Sequence, residues 1–186
     1  MKKILVFLVF VAFMSCDSKS KISKDLNCQP ESYSNLETIE DVKKLFTVKF
    51  PDNWKTNLYY DKSQSSIYSA DTTKQLTETI LLDITHVSKE LKLDTGFIQR
   101  FKTSLINQKL VEKTSYELTF KNKESYYSRA LGKKGSFAYE ICNLFIKINN
   151  NNYIHAKAEV YGDSLINQRL CNAISLLEKI EYQSHE

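Results

Sequence analysis

The sequence predicts an α+β domain, an antiparallel β-sheet of about six to eight strands with helices packed on it. Three features carry that reading. Eight segments between residues 46 and 161 alternate apolar and polar side chains or run apolar over strand length. Most links between them are short turns containing Asn, Gly or Lys, which join antiparallel neighbours and leave no room for crossover helices. Only two long segments carry apolar stripes at helical spacing, so the order is four strands, a helix, four strands and a helix, without strict βα alternation.

Taken along the chain, residues 17–33 are mostly Ser, Lys, Asp, Asn and Gln, so 16–35 is expected to be a flexible, solvated tether in which no core forms. Leu36, Ile39 and Val42 have a modest helical spacing, and a short helix is expected over 36–45. Phe46-Thr47-Val48-Lys49-Phe50 alternates as a strand does and is stopped by Pro51-Asp52-Asn53. Strands are expected at 56–61, 65–71 and 79–87, the last with Ile80, Leu82, Ile84 and His86 on one face. Asp94 then opens a helix whose Phe97, Ile98, Phe101 and Leu105 form one stripe, ending near Gln108. Strands follow at 110–121, 125–132, 136–148 and 152–161. Gly162-Asp163 is read as the cap of a final helix with Ile166, Leu170, Ala173, Ile174 and Leu177 turned inward. The folded domain is expected over 36–182, with 183–186 as a tail.

The start of the chain reads as an address. Met1, Lys2 and Lys3 precede eleven apolar residues, and Ser15-Cys16 follows. A permanent span needs about 20 apolar residues to cross a hydrocarbon layer of ~30 Å, so this run is too short to be one. Phe13-Met14-Ser15-Cys16 resembles the bacterial lipobox. That resemblance implies a signal peptide at 1–15, fatty acids (palmitate among them) on Cys16, and a lipid-anchored protein of the cell envelope that faces the periplasm. Asp17 is the inner-membrane retention residue of enteric bacteria, and no acidic run follows it, so inner and outer membrane both stay open.

Removing Lys2 and Lys3 with the signal leaves 24 basic residues against 22 acidic ones. A balance of +2 gives no polyanionic partner, and the lysines are spread along the chain, so no nucleic acid is expected. Gly132-Lys133-Lys134-Gly135 resembles a backbone-clamping RNA loop, but it lies between strands and is read as a hairpin turn. With Cys16 acylated, Cys28, Cys142 and Cys171 remain, enough for one disulfide and one spare thiol. Cys142 falls among the alternate, mainly apolar positions of a strand and reads as a buried thiol. Cys28 with Cys171 is the expected pair, although the sequence leaves the connectivity open.

Chemistry is harder to find. The four glycines, at 96, 132, 135 and 162, form no phosphate-cradling loop, and there is no Gly-x-Ser-x-Gly elbow. Asp83 and His86 fall on opposite faces of a strand. His155 and Glu159 share a face but stand about 13 Å apart with Lys157 between them. No metal or cofactor is expected from these residues, and His185 sits at the frayed end. One row stands out as a possible recognition face, namely Tyr153, His155, Lys157, Glu159 and Tyr161, the polar side of the last strand.

Two segments resemble the PsbP-like family. One is Phe46-Thr47-Val48-Lys49-Phe50-Pro51-Asp52-Asn53-Trp54, a strand running into a proline with a tryptophan three residues on; the other is the strand, turn and helix over 153–177. The resemblance covers about 36–182 and implies an α/β/α sandwich shared with the Ran-release factor Mog, with Pro51 and Trp54 in structural roles. Members in photosynthetic membranes assist an oxygen-evolving complex, whereas many bacterial members are secreted proteins or lipoproteins without a defined activity. It therefore implies a non-catalytic accessory or binding module, not an enzyme, that docks on an unidentified envelope protein or complex. Two alternatives stand beside it: an envelope hydrolase acting on glycan or peptidoglycan through carboxylates such as Glu140 and Glu159, and a carrier holding an apolar ligand between sheet and helices.

Overall fold

The computed structural model describes residues 20–29 and 33–183; the expected signal at 1–15, Cys16 and tail residues 184–186 lie outside the described residues. After a short helix α1 (Lys21–Asp25) come β1 (Leu36–Glu40), β2 (Phe46–Pro51), β3 (Lys55–Tyr60), β4 (Gln64–Ala70) and β5 (Leu81–Val87). Helix α2 (Thr95–Asn107) leads to β6 (Val111–Phe120), β7 (Lys123–Lys134), β8 (Phe137–Lys147) and β9 (Tyr153–Tyr161), and α3 (Ile166–Leu177) is followed by β10 (Glu181–Tyr182). The main sheet has seven strands in the order β3-β4-β5-β9-β8-β7-β6, every pair antiparallel. A smaller sheet, β1-β2-β10, lies beside it.

Strand β9 sits at the centre because it inserts between β5 and β8. Its Ile154, Ala156, Ala158 and Val160 are fully buried on the inner face. The small Ala156 and Ala158 leave room there for α3, whose Leu170, Ala173, Ile174 and Leu177 complete the layer. The small sheet adds Phe46, Val48 and Phe50 to the same core. On the other face, α2 lays Phe97 and Phe101 on Tyr126 and Phe145. Asp94 caps α2 as expected, its carboxylate accepting from the Phe97 N–H at 2.7 Å.

Three expectations are corrected. The helix expected over 36–45 is β1 and a turn: the Asp41 carboxylate accepts from the backbone N–H groups of Lys43 (2.9 Å) and Phe46 (2.9 Å), and Lys44 takes a φ of 57°. A short side chain that satisfies nearby N–H groups favours a turn over a continuing helix. The tether expected over 16–35 is folded where it is described from Ser20. Ser20 caps α1, Ile22 is fully buried, and Leu26 and Cys28 join the core. Three apolar residues at the right spacing outweigh the polar composition around them. Gly162-Asp163 does not cap the final helix either. Gly162, at φ 76°, turns the chain out of β9, and a Cβ there would stand 2.9 Å from the Thr77 side chain. Helix α3 starts after Leu165, whose side chain makes no capping bond.

Candidate functional site

The row picked out on β9 lies on the outer face of the central strands. Cross-strand register carries it into two ladders, Tyr59–Ser66–Thr85–His155–Phe145–Tyr126 and Asn57–Tyr68–Asp83–Lys157–Asn143–Ser128. Each begins at the β3 edge and ends beneath or beside α2, so the face has a closed half and an open half.

In the closed half, Tyr153 packs against the α2 aromatic cluster. The His155 ring stacks on Phe145 with centroids 4.0 Å apart, and its Nε2 faces Asn143 Oδ1 at 3.0 Å. Burial, reinforced by the Lys157 charge, pushes the imidazole down to about 3, so His155 is neutral at physiological pH. It is a packed ring with one polar contact. Tyr161 packs on Tyr139, centroids 5.0 Å apart, in the cluster that holds Leu105.

In the open half, Lys157 Nζ donates to Asp83 at 2.6 Å, and Thr85 Oγ1 donates to the same carboxylate at 2.9 Å. Ser66 and Thr85 hydroxyls meet at 2.9 Å. Glu159 accepts from Tyr139 OH at 2.8 Å and from Lys134 Nζ at 3.3 Å, with Lys134 over the Tyr139 and Tyr161 rings. Tyr59 is 59% exposed at the margin. Around Ser66, Asp83, Thr85 and Lys157 polar groups hold one another in place on a sheet surface that no helix of the described residues covers, whereas Tyr139 stays in the cluster of Leu105 at its border. Ser66, Tyr59, Tyr68, Thr85, Asp83, Lys134 and Tyr139 escape a reading of single strands. The phase of each strand's alternation marks their face, but the pairing partners come only from register.

The other residues read from the sequence fall elsewhere. Pro51 ends β2, and Trp54 stacks on Phe50 with centroids 6.1 Å apart and meets Tyr33 edge-on at 6.4 Å. Trp54 borders a cleft of about 340 Å³ that Arg169 and Lys74 also line. Arg169, only 6% exposed, donates to the carbonyls of Ser164 (2.9 Å), Tyr161 (2.8 Å) and Thr79 (3.2 Å) and so ties the start of α3 to the sheet. Cys28 is bonded to Cys171, joining the segment after α1 to α3. Cys142 is a buried thiol, pushed up to about 11 by burial, 3.1 Å from Tyr127 OH.

The sheet also places the residues named for the two alternatives. Glu140 shares the inner face with Val160 and pairs with Arg129 at 2.7 Å, whereas Glu159 points to the outer face beside Ile141. The sheet separates these two carboxylates, which do not act together as a hydrolytic pair. The space an apolar carrier would leave open between sheet and α3 is filled by Ile84, Leu144, Ile146, Ile154, Leu170 and Ile174.

No protein-family model matches the chain, and no curated protein sequence does. Solved structures do match. The cyanobacterial PsbP (CyanoP) of Synechocystis is 11% identical with a TM-score of 0.54, over 84% of this chain and 97% of that one. The Ran-binding protein Mog1p of Saccharomyces cerevisiae is 10% identical with a TM-score of 0.51, over 81% and 96%. The chain has the fold of PsbP and Mog1. LpqN of Mycobacterium tuberculosis, involved in cell envelope biogenesis, aligns at 11% identity and a TM-score of 0.50, over 77% of this chain and 87% of its own. A Bacteroides thetaiotaomicron protein shares the fold at a TM-score of 0.51, and this chain spans half its length. At such identities the likeness is one of fold alone, and it is the α+β sandwich that the entry strand and closing helix implied.

Proposed function

We propose that this protein is a lipid-anchored lipoprotein of the bacterial cell envelope, facing the periplasm, that works as a non-catalytic accessory module by docking a protein partner on the open half of its outer face. The observation that carries the reading is the ordered polar surface formed by Tyr59, Ser66, Tyr68, Asp83, Thr85 and Lys157, uncovered by any helix of the described residues. Aromatic rings with fixed polar groups beside them make specific contacts at low entropic cost. Two fold neighbours support it: one is a Ran-binding protein and another acts in envelope biogenesis. The anchor rests on the lipobox-like Phe13-Met14-Ser15-Cys16.

The test is site-specific crosslinking in the native envelope. A photoreactive side chain in place of Tyr59 is expected to capture one discrete protein, and the same group in place of Leu165, exposed at the start of α3, is not. Equal capture at both positions, or none at Tyr59, overturns the docking reading. Cys16→Ser is expected to abolish labelling by a fatty-acid probe, and persistent labelling overturns the anchor.

A further inference from the structure

If Cys16 carries the lipid, the fold leaves very little chain between lipid and domain. The described residues begin at Ser20, whose Oγ accepts from the Ser23 N–H at 3.1 Å. Helix α1 is fastened three ways: Ile22 is fully buried, Ser23 Oγ donates to Glu178 at 3.1 Å, and the Cys28–Cys171 disulfide closes the segment behind it. Four Cα steps separate Cys16 from Ser20, a reach of about 14 Å at full extension. A domain of this size is about 30 Å or more across. A leash shorter than the body restricts which side can meet the bilayer.

That side is the one bearing α1 and α3. Exposed Lys21 and Lys24 are on α1, and Lys49 and Lys179 stand near Lys121. Lys21 sits 3.9 Å from the Tyr116 ring centroid, and Lys121 donates to the Ile180 carbonyl at 2.6 Å. Asp25 is also on α1, and Glu178 and Glu181 stand near Lys121, so basic and acidic groups alternate on this side. Helix α2 and the outer ladders are on the opposite face of the sheet. We infer that the protein is held with its α1–α3 layer against the anchoring membrane, and that the outer face is thereby presented away from it. The disulfide maintains this posture: were α1 released as far as Leu36, the leash would lengthen to about 70 Å and orientation would be lost. The inference rests on the lipid anchor proposed above.

The experiment uses the full acylated protein in phosphatidylcholine–phosphatidylglycerol vesicles carrying an energy-acceptor lipid. A donor dye is placed at Lys24→Cys on α1 or at Gln99→Cys on α2. With the labels separated by about the thickness of the domain, transfer from position 24 is expected to exceed that from 99 at least about twofold. A long Gly/Ser segment inserted between Lys19 and Ser20 leaves every folded contact in place and is expected to bring the ratio towards one; Cys28→Ser/Cys171→Ser is expected to move it the same way. Equal transfer in the disulfide-bonded protein, greater transfer from 99, or a ratio untouched by the insertion overturns the orientation. Mass spectrometry of the Cys16 peptide separates the two claims: an unacylated cysteine overturns the anchor and the orientation together, whereas an acylated one with equal transfer overturns the orientation alone.

Discussion

The two faces of β9 share one backbone and one register, yet they are built on different physics. Inward, Ile154, Ala156, Ala158 and Val160 are fully buried under α3. Outward, Tyr153, His155, Lys157, Glu159 and Tyr161 run from an aromatic layer beneath α2 to an open patch of ion pairs and hydroxyls. Burial of an aliphatic side chain contributes about 1.5–3 kcal/mol, whereas an exposed ion pair contributes about 0–1 kcal/mol. The inner face therefore carries the stability, and the outer face is free to be chosen for what it touches.

That contrast fails if losses on the inner side are small. The largest loss is expected from Cys28→Ser/Cys171→Ser, which opens a link spanning 143 residues between α1 and α3. The chain-entropy estimate is about 5 kcal/mol, read as a lower denaturation midpoint in urea without reductant. Next comes Ile154→Ala, expected to cost about 3 kcal/mol through lost burial and the cavity left between β9 and α3. A change under about 1 kcal/mol would mean that this layer is not a close-packed core.

His155 probes the closed half of the outer face. Its conjugate acid is held down to about 3 by burial and by Lys157, against about 6.5 in the unfolded chain. The native state thus binds fewer protons than the unfolded one between those values. The stabilisation is present above pH 6.5 and is lost as pH falls towards 3. Between pH 7 and pH 4 the loss is expected to reach up to about 3 kcal/mol at ~1.4 kcal/mol per pH unit. His86, lowered by burial on the inner face, acts in the same direction. His155→Gln should flatten the acid limb of stability measured by urea titration at each pH, and an unchanged limb would assign it to other groups.

Much of this architecture is legible in the sequence because period-two alternation survives wherever one face is buried and the other is not. Strand β9 shows it without a break, and the Phe97–Leu105 stripe shows helical spacing as clearly. Leu36 and Ile39 misled because in β1 they point to opposite faces and each is only partly buried, and their three-residue spacing is one that a short helix also satisfies. Helix α1 was hidden because five residues are too few to show a period; Ile22, Leu26 and Cys28 matter only once α3 is beside them. The open half of the candidate face was half visible: Lys157 and Glu159 stood out on their own strand. Asp83, Thr85, Ser66 and Tyr59 join them through a register that no single segment encodes.

The smallest expected effect on stability is the sharpest on function. Lys157→Met removes the 2.6 Å contact to Asp83, in which neither side chain is fully buried. Asp83 keeps the Thr85 hydroxyl as a partner, and water reaches the remainder. The cost to folding is therefore expected to stay within about 1 kcal/mol. At a docking surface the same change replaces a fixed charge with an apolar tip and leaves Asp83 without its cation. Capture of a partner by the crosslinker at Tyr59 should then fall severalfold while the denaturation midpoint barely moves. A variant that lost stability and kept its partner would reverse the division of labour between the faces, placing recognition somewhere other than the open half of the sheet.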